Sequence, residues 1–305
     1  MKILKKYFFV ILGFFVGVLF FFPLNQIKDA ISSNVAQSTG IILDIQRLEP
    51  TLGLRLGLGK GAFIGLSAIG AHIRFPQGSL NCDELIIAPR VWPILMGQLQ
   101  LGVGCLEKER VSLVALVKAS PFWAPSAVDL SVDFKEFSLE NIDLQSDLQN
   151  ELKGIVSGTL EAQNVSLTNI GSPSVLLDVQ GSEVRTPSTY VMGVTLSSLD
   201  LDTVKIVGSL GKNSLKIPTL NFGNTDSPIQ GKLSFESDFP MPRMIPQKGQ
   251  LRGMLKVTPA GIVIFKNVFS LSLVFGPADT TGTRQINKKF TNDIKELLGA
   301  YQSNN

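Results

Sequence analysis

The chain has 305 residues, 44% of them hydrophobic and only 17% charged, so it is long enough to bury a sizeable core and poor in charge for a soluble enzyme. Its formal charge of +3 is carried by Lys2, Lys5 and Lys6 at the extreme N-terminus; beyond residue 24 bases and acids balance. A neutral body excludes a nucleic-acid or polyphosphate binder, in which Lys and Arg must cluster to displace phosphate counterions.

From Tyr7 to Phe22 the sequence reads YFFVILGFFVGVLFFF, without a charge, and Pro23 and Leu24 extend it. At about 1.5 Å per residue, residues 7–24 suffice for one helix across a hydrocarbon core of about 30 Å. A cleaved signal peptide is the competing reading; it needs a shorter apolar stretch followed by small residues at a cleavage site. Pro23, Leu24, Asn25, Gln26, Ile27 and Lys28 offer no such site, and the small pair Ala30 and Ser32 comes late, so the expectation is a retained anchor. The three lysines before it place the N-terminus in the cytoplasm and residues 25–305 across the membrane, which in a bacterium is the periplasm.

Ile27, Ile31 and Val35 follow at a spacing of four, one stripe of a short amphipathic helix over 25–40 that Gly40 ends. Beyond Gly40, short apolar runs alternate with polar residues and are punctuated by Gly, Pro, Asn and Ser, which is the pattern of strands. The predicted strands are 40–48, 53–65, 67–75, 84–89, 98–105, 110–119, 127–137 and 152–170, then 174–182, 192–210, 214–223, 229–239, 250–257 and 262–275. Many strands and few helices predict a mainly β chain: an N-terminal transmembrane helix followed by an elongated, twisted antiparallel β-sheet body with a few short helices. Segments starting at Gly154, Gly231 and Gly253 each read as Gly followed by an alternating strand, as expected of a long sheet built from similar hairpins. Near the end, Phe290, Ile294, Leu297, Leu298 and Tyr301 fall at helical spacing and predict a final amphipathic helix. The expected organisation is therefore an anchor over 1–24, a short helix over 25–40, a β-rich body over 41–275 and a tail over 276–305.

Cys82 and Cys105 are the two cysteines. They lie on consecutive predicted strands, 84–89 with its approach and 98–105, whose antiparallel pairing brings them together; this context favours a disulfide, with two buried thiols as the alternative.

Catalytic chemistry finds no footing. The single histidine, His72, sits inside a predicted strand, and no nucleophile–base pair can be built around it. Two cysteines and one distant histidine do not make a metal ligand set. Gly57, Gly59, Lys60 and Gly61 suggest a phosphate loop, but Ala62 stands where that loop requires Ser or Thr. Asp83 with Glu84, and Asp200 with Asp202, are paired acids among strand residues, and Asn164-Val165-Ser166 is a chance sequon. No catalytic, metal-binding or cofactor-binding residue is assigned, and no cofactor.

Several stretches together resemble the type II secretion system protein N family of Gram-negative bacteria, in its delta-proteobacterial form. They are the anchor ending in Phe22-Pro23 with LNQIKDAISSNVAQSTGIILDI, then LEPTLGLRLGLGKGAFIG, ELIIAPRVWPILMGQLQLGVGCLEK, and FKEFSLENIDL with LKGIVSGTLEAQNVSL, covering residues 1 to 260. The opening is also similar to that of AsmA-type envelope proteins. The resemblance implies a non-enzymatic, single-pass inner-membrane protein whose periplasmic β-body serves as a scaffold or partner-binding module among other secretion-system envelope proteins. The AsmA likeness implies the alternative: a sheet whose apolar face binds or conducts lipid. On that reading Leu160, Val165, Leu167, Leu233, Phe235, Leu255 and Val257 line a groove, and the discriminator is whether they stay open or pack into a closed core.

Overall fold

The computed structural model describes residues 24–52, 64–75, 78–90, 93, 96–120, 127–144, 152–166, 173–191, 194–196, 198–211, 213–239, 248–265 and 276–291. The predicted anchor, the Gly57–Gly61 stretch, Leu167 and the predicted C-terminal helix beyond Phe290 lie outside them. Among the described residues no helix is long and apolar enough to cross a membrane.

The strands are β1 (Ile42–Leu52), β2 (Ile64–Phe75), β3 (Gly78–Pro89), β4 (Leu99–Glu107), β5 (Arg110–Ala119), β6 (Ala127–Ser138), β7 (Ile142–Leu144) and β8 (Lys153–Ser166). They continue with β9 (Ser174–Arg185), β10 (Thr189–Val191), β11 (Val194–Leu196), β12 (Asp200–Leu210), β13 (Ser214–Phe222), β14 (Ile229–Asp238), β15 (Gly249–Val257) and β16 (Thr283–Phe290). Fourteen of them form one open antiparallel sheet in which spatial order follows chain order from β1 to β16; β7 adds to β3, and β10 with β11 makes a separate hairpin. Neighbours in sequence are neighbours in space, and some are joined by tight turns. Lys108 and Glu109, both at positive φ (47° and 67°), make the tight turn from β4 to β5, and the Asp83 carboxylate accepts the Lys108 N–H at 2.8 Å.

The helix Leu24–Thr39 lies against β1. Gly40, at φ 72°, ends it and donates its N–H to Ala36 O at 2.9 Å, the left-handed closure that glycine allows. Lys28 Nζ reaches the edge strand and donates to Gln46 O at 3.1 Å and Ile45 O at 3.4 Å. One edge of the sheet is thereby covered, a usual defence against unwanted pairing.

Three elements differ from the sequence reading. The predicted strand 262–275 begins inside a helix, Pro259–Phe265. Pro259 is tolerated in a first turn, Thr258 Oγ1 accepts the Gly261 N–H at 3.4 Å, and Ile262 N–H reaches Thr258 O at 2.9 Å, so a capped turn wins over the apolar run. The boundary drawn at 275 cuts the sheet short: β16 pairs with β15, so Phe290, expected to begin a helix, ends a strand. The predicted strand 192–210 divides into β11 and β12.

Glycines inside the strands mark close backbone approaches. Gly253 sits at φ 143°, and a Cβ there would stand 2.1 Å from Lys232 O; Gly158, at φ 142°, has Asp178 O at the same distance. Gly253→Ala is expected to destabilise the chain by about 1–3 kcal/mol, because both the backbone conformation and the contact forbid a side chain. Urea unfolding of the full chain in detergent measures it, and an unchanged midpoint would contradict the backbone geometry at β15.

Candidate functional site

Residues opposite one another in an antiparallel pair share a face, so the register traces a row across the sheet. One such row begins Leu48–Ala68–Leu85–Cys105–Leu113–Phe134 on β1 to β6. It continues Gly158–Val179–Ile206–Leu220 on β8, β9, β12 and β13, and ends Leu233–Gly253–Ile286 on β14 to β16. No polar side chain interrupts it in thirteen strands.

Burial along this row is uneven. At the first end Leu48, Ala68, Leu85 and Cys105 are at most 5% exposed and belong to a cluster with Leu43, Ile45, Ala71 and Cys82. At the other end Leu255, Val257 and Ile286 form a second cluster, with Phe222, Ile229, Leu233 and Leu251 packed on it. Between the clusters, Phe134, Val179, Ile206 and Leu220 are only half-buried. Among the described residues no second layer packs across this middle; each of its strands touches chiefly its sheet neighbours. An apolar face that water reaches over several strands is the feature that needs explaining.

The residues predicted to line a groove divide accordingly. Leu160, Val165, Leu233 and Phe235 are half-buried, whereas Leu255 and Val257 are buried at 2% and 4%. Leu160 opposes Leu177, Phe235 opposes Leu251, and Phe235 stacks on Phe290 with ring centroids 5.9 Å apart. The face is thus open in the middle and packed at the C-terminal end. Alternation in the sequence could find the face; it could not find which stretch of it lies uncovered.

Cys82 and Cys105 are bonded, Sγ to Sγ 2.11 Å and Cα to Cα 5.5 Å, across β3 and β4 inside the first cluster. Ser112 Oγ donates to Cys105 O at 3.2 Å beside them.

On the opposite face Ile86, Ala88 and Leu106 form a buried cluster at β3 and β4, but from β9 to β15 that face is wet. Gln180, Lys205, Asn221, Lys232 and Met254 succeed one another in register there and, with Lys256, line a cavity of about 480 Å³. Lys205 and Lys232 form no ion pair with any described residue, which suits a solvated face. Glu107, Glu136, Glu140, Glu183, Asp200 and Asp202 surround a second cavity of about 520 Å³, yet among the described residues no group of three or more His, Cys, Asp or Glu is arranged to hold a metal. His72 opposes Asn81 and shares a hydrogen bond with its side chain. Asp83 holds a turn, as above, Glu84 accepts from Ser67 Oγ at 2.7 Å, and Asp202 accepts from the Asn224 amide. These polar residues serve the sheet's own construction.

The Asp279 carboxylate stands at the centre of a cluster of donors. The Thr281 hydroxyl and the N–H groups of Thr283 and Thr281 donate to its carboxylate, and Lys256 adds a favourable charge, so its pKa lies below the ordinary value. It fixes the turn that leads into β16.

The family model described as "Type II secretion system protein GspN-like, Synergistales" matches residues 1–180, more than half of the chain. That model is drawn for Synergistales and not for the delta-proteobacterial form, and nothing found extends the resemblance to AsmA-type proteins. No curated protein matches. No solved structure matches either.

Proposed function

Because the chain belongs to the GspN-like family of type II secretion system proteins, we propose that it is a non-enzymatic, inner-membrane-anchored component of that system whose periplasmic sheet docks other envelope components. The observation that supports docking is the asymmetry of the sheet edges. The helix Leu24–Thr39 and Lys28 cover β1, whereas β16 pairs, among the described residues, only with β15. A sheet edge accepts a partner strand through main-chain hydrogen bonds without needing charge, which fits a neutral body. The three lysines before the apolar stretch 7–22 favour a cytoplasmic N-terminus.

The half-buried middle of the apolar face favours a second reading, in which the same sheet carries acyl chains. Both readings meet in one experiment. Deleting the gene is expected to leave exoproteins in the periplasm, and restoring the chain to release them; unchanged secretion in the deletion strain rules out the secretion role. Leu160→Lys with Ile206→Lys places charges on the open middle of the face, where half-buried side chains can reach water. If strand docking is the whole function, this variant secretes normally. If acyl chains lie on the face, it is made and anchored at wild-type level but fails to secrete.

A further inference from the structure

Charge is segregated between two cavities of the sheet. The cavity of about 480 Å³ is lined by Lys205, Lys232 and Lys256 and by no acid. The cavity of about 520 Å³ has the reverse composition, six carboxylates with Lys153 and Arg185. In a body whose bases and acids balance, neutrality is a sum and leaves this local excess intact. A concave wall of one sign focuses its field and concentrates counter-ions.

Register places the three lysines on one face. Lys205 opposes Asn221 and Asn221 opposes Lys232, so two strand spacings, about 10 Å, separate the Cα atoms of the two lysines. Lys232 opposes Met254, which puts Lys256 one strand and two residues away, about 8 Å. None of the three forms an ion pair among the described residues. Lys256 has a favourable charge interaction with Asp279, but that carboxylate is already held by Thr281 and Thr283 and does not line the cavity. Gln180, Thr203, Asn221 and Thr283 add neutral polar groups to the wall, as does Gln230, whose amide Nε2 is buried without a hydrogen-bond partner. Val204 and Phe222 also line it but oppose each other one position off the lysine row, so their side chains belong to the other face.

Three ammonium groups are best matched by a similar number of negative charges. Two phosphomonoesters carry about three to four at neutral pH, more than two carboxylates can. A single phosphate ion would leave most of the space unfilled, because cavities of about 300–1,000 Å³ hold molecules of drug size. A phospholipid would bring acyl chains to the polar side of the sheet.

We propose that this cavity binds a small soluble molecule with two phosphate groups on a hydroxyl-bearing frame, one phosphate between Lys205 and Lys232 and the other between Lys232 and Lys256. Asn221 and Thr283 stand beside those positions and suit the hydroxyls of the frame. The site lies on the face away from the apolar rows and depends on neither reading of the sheet given above.

The full chain, purified in non-ionic detergent at low salt, is titrated calorimetrically with glucose 1,6-bisphosphate, glucose 6-phosphate and glucarate, the last carrying two carboxylates on a similar frame. The bisphosphate is expected to bind at least about tenfold more tightly than either of the others, the scale of one charge-assisted hydrogen bond. Lys232→Gln, at the centre of the three, is expected to weaken the bisphosphate by about tenfold or more. Lys216→Gln makes the same change of net charge outside the cavity, at a lysine paired with Glu236, and is expected to leave the affinity unchanged. Absence of bisphosphate binding by the wild type overturns the proposal. So does equal affinity for glucarate or glucose 6-phosphate, or an equal loss in Lys216→Gln and Lys232→Gln.

Discussion

Phe290→Ala is expected to lower the unfolding free energy by about 3–5 kcal/mol, the range for deleting a large aromatic side chain from a packed core. Phe290 is 2% exposed and stacks on Phe235 with an interplanar angle of 8°. It opposes Gly249, whose missing side chain makes room for the ring: a Cβ there would approach Phe290 to 2.7 Å. Gly249 has no side chain to move into the vacancy, and Phe235 is held on its own strand. Urea unfolding of the full chain in detergent, followed by circular dichroism of the strand signal, gives the difference directly. A loss below about 1 kcal/mol is what a solvent-facing helical position would show, and it would contradict the place of Phe290 in β16.

The second large effect concerns the cystine. Replacing both Cys82 and Cys105 by alanine is expected to cost about 3 kcal/mol on the chain-entropy account of a closed loop. The bond closes a sequence separation of 23 residues. Its two ends are buried at 4% and 0% exposure, so reduction leaves two thiols with no access to water. In the wild type, reductant should lower the urea midpoint by the same amount, while the double variant should ignore reductant altogether. A wild-type midpoint insensitive to reductant would mean that the two sulfurs are not joined in the protein as made. A bond of this kind persists in an oxidising compartment.

The two predictions bear on opposite ends of one face, and they show how far the sequence could be read. Alternation such as Val175, Leu177 and Val179 against Asp178 and Gln180 specifies a half-buried strand with no further information, because strand side chains point to opposite faces by turns. The same logic identified Leu160, Leu233, Phe235, Leu255 and Val257 as one face. It failed at β16 for a definite reason. Ile286 and Phe290 are four residues apart, and a spacing of four satisfies both a helix stripe and one face of a strand. With Phe290 and Ile294 also four apart, the helix reading was free to start one element too early. At Pro259–Phe265 the run GIVIF has strand composition, but Thr258 and Pro259 supply a helix start, and the local cap decides.

Arg284 was invisible to the sequence reading altogether. It stands between Thr283 and Gln285 in a stretch with Lys288 and Lys289, where a base looks like ordinary solvation. Only its register with Leu255 puts it on the side of Ile286, where it is 9% exposed.

The sequence by itself determined the charge asymmetry of the N-terminus, the mainly β character and which residues of each strand are apolar, since these follow from composition and a two-residue period. The tertiary structure alone decided that the strands add in chain order into one open sheet, that the apolar rows join across thirteen of them, and that this face is sealed at both ends but half-exposed in the middle. Pairing register and coverage are long-range properties: a strand's pattern states which side wants burial, and only the neighbours that close over it, or fail to, determine whether that side is buried.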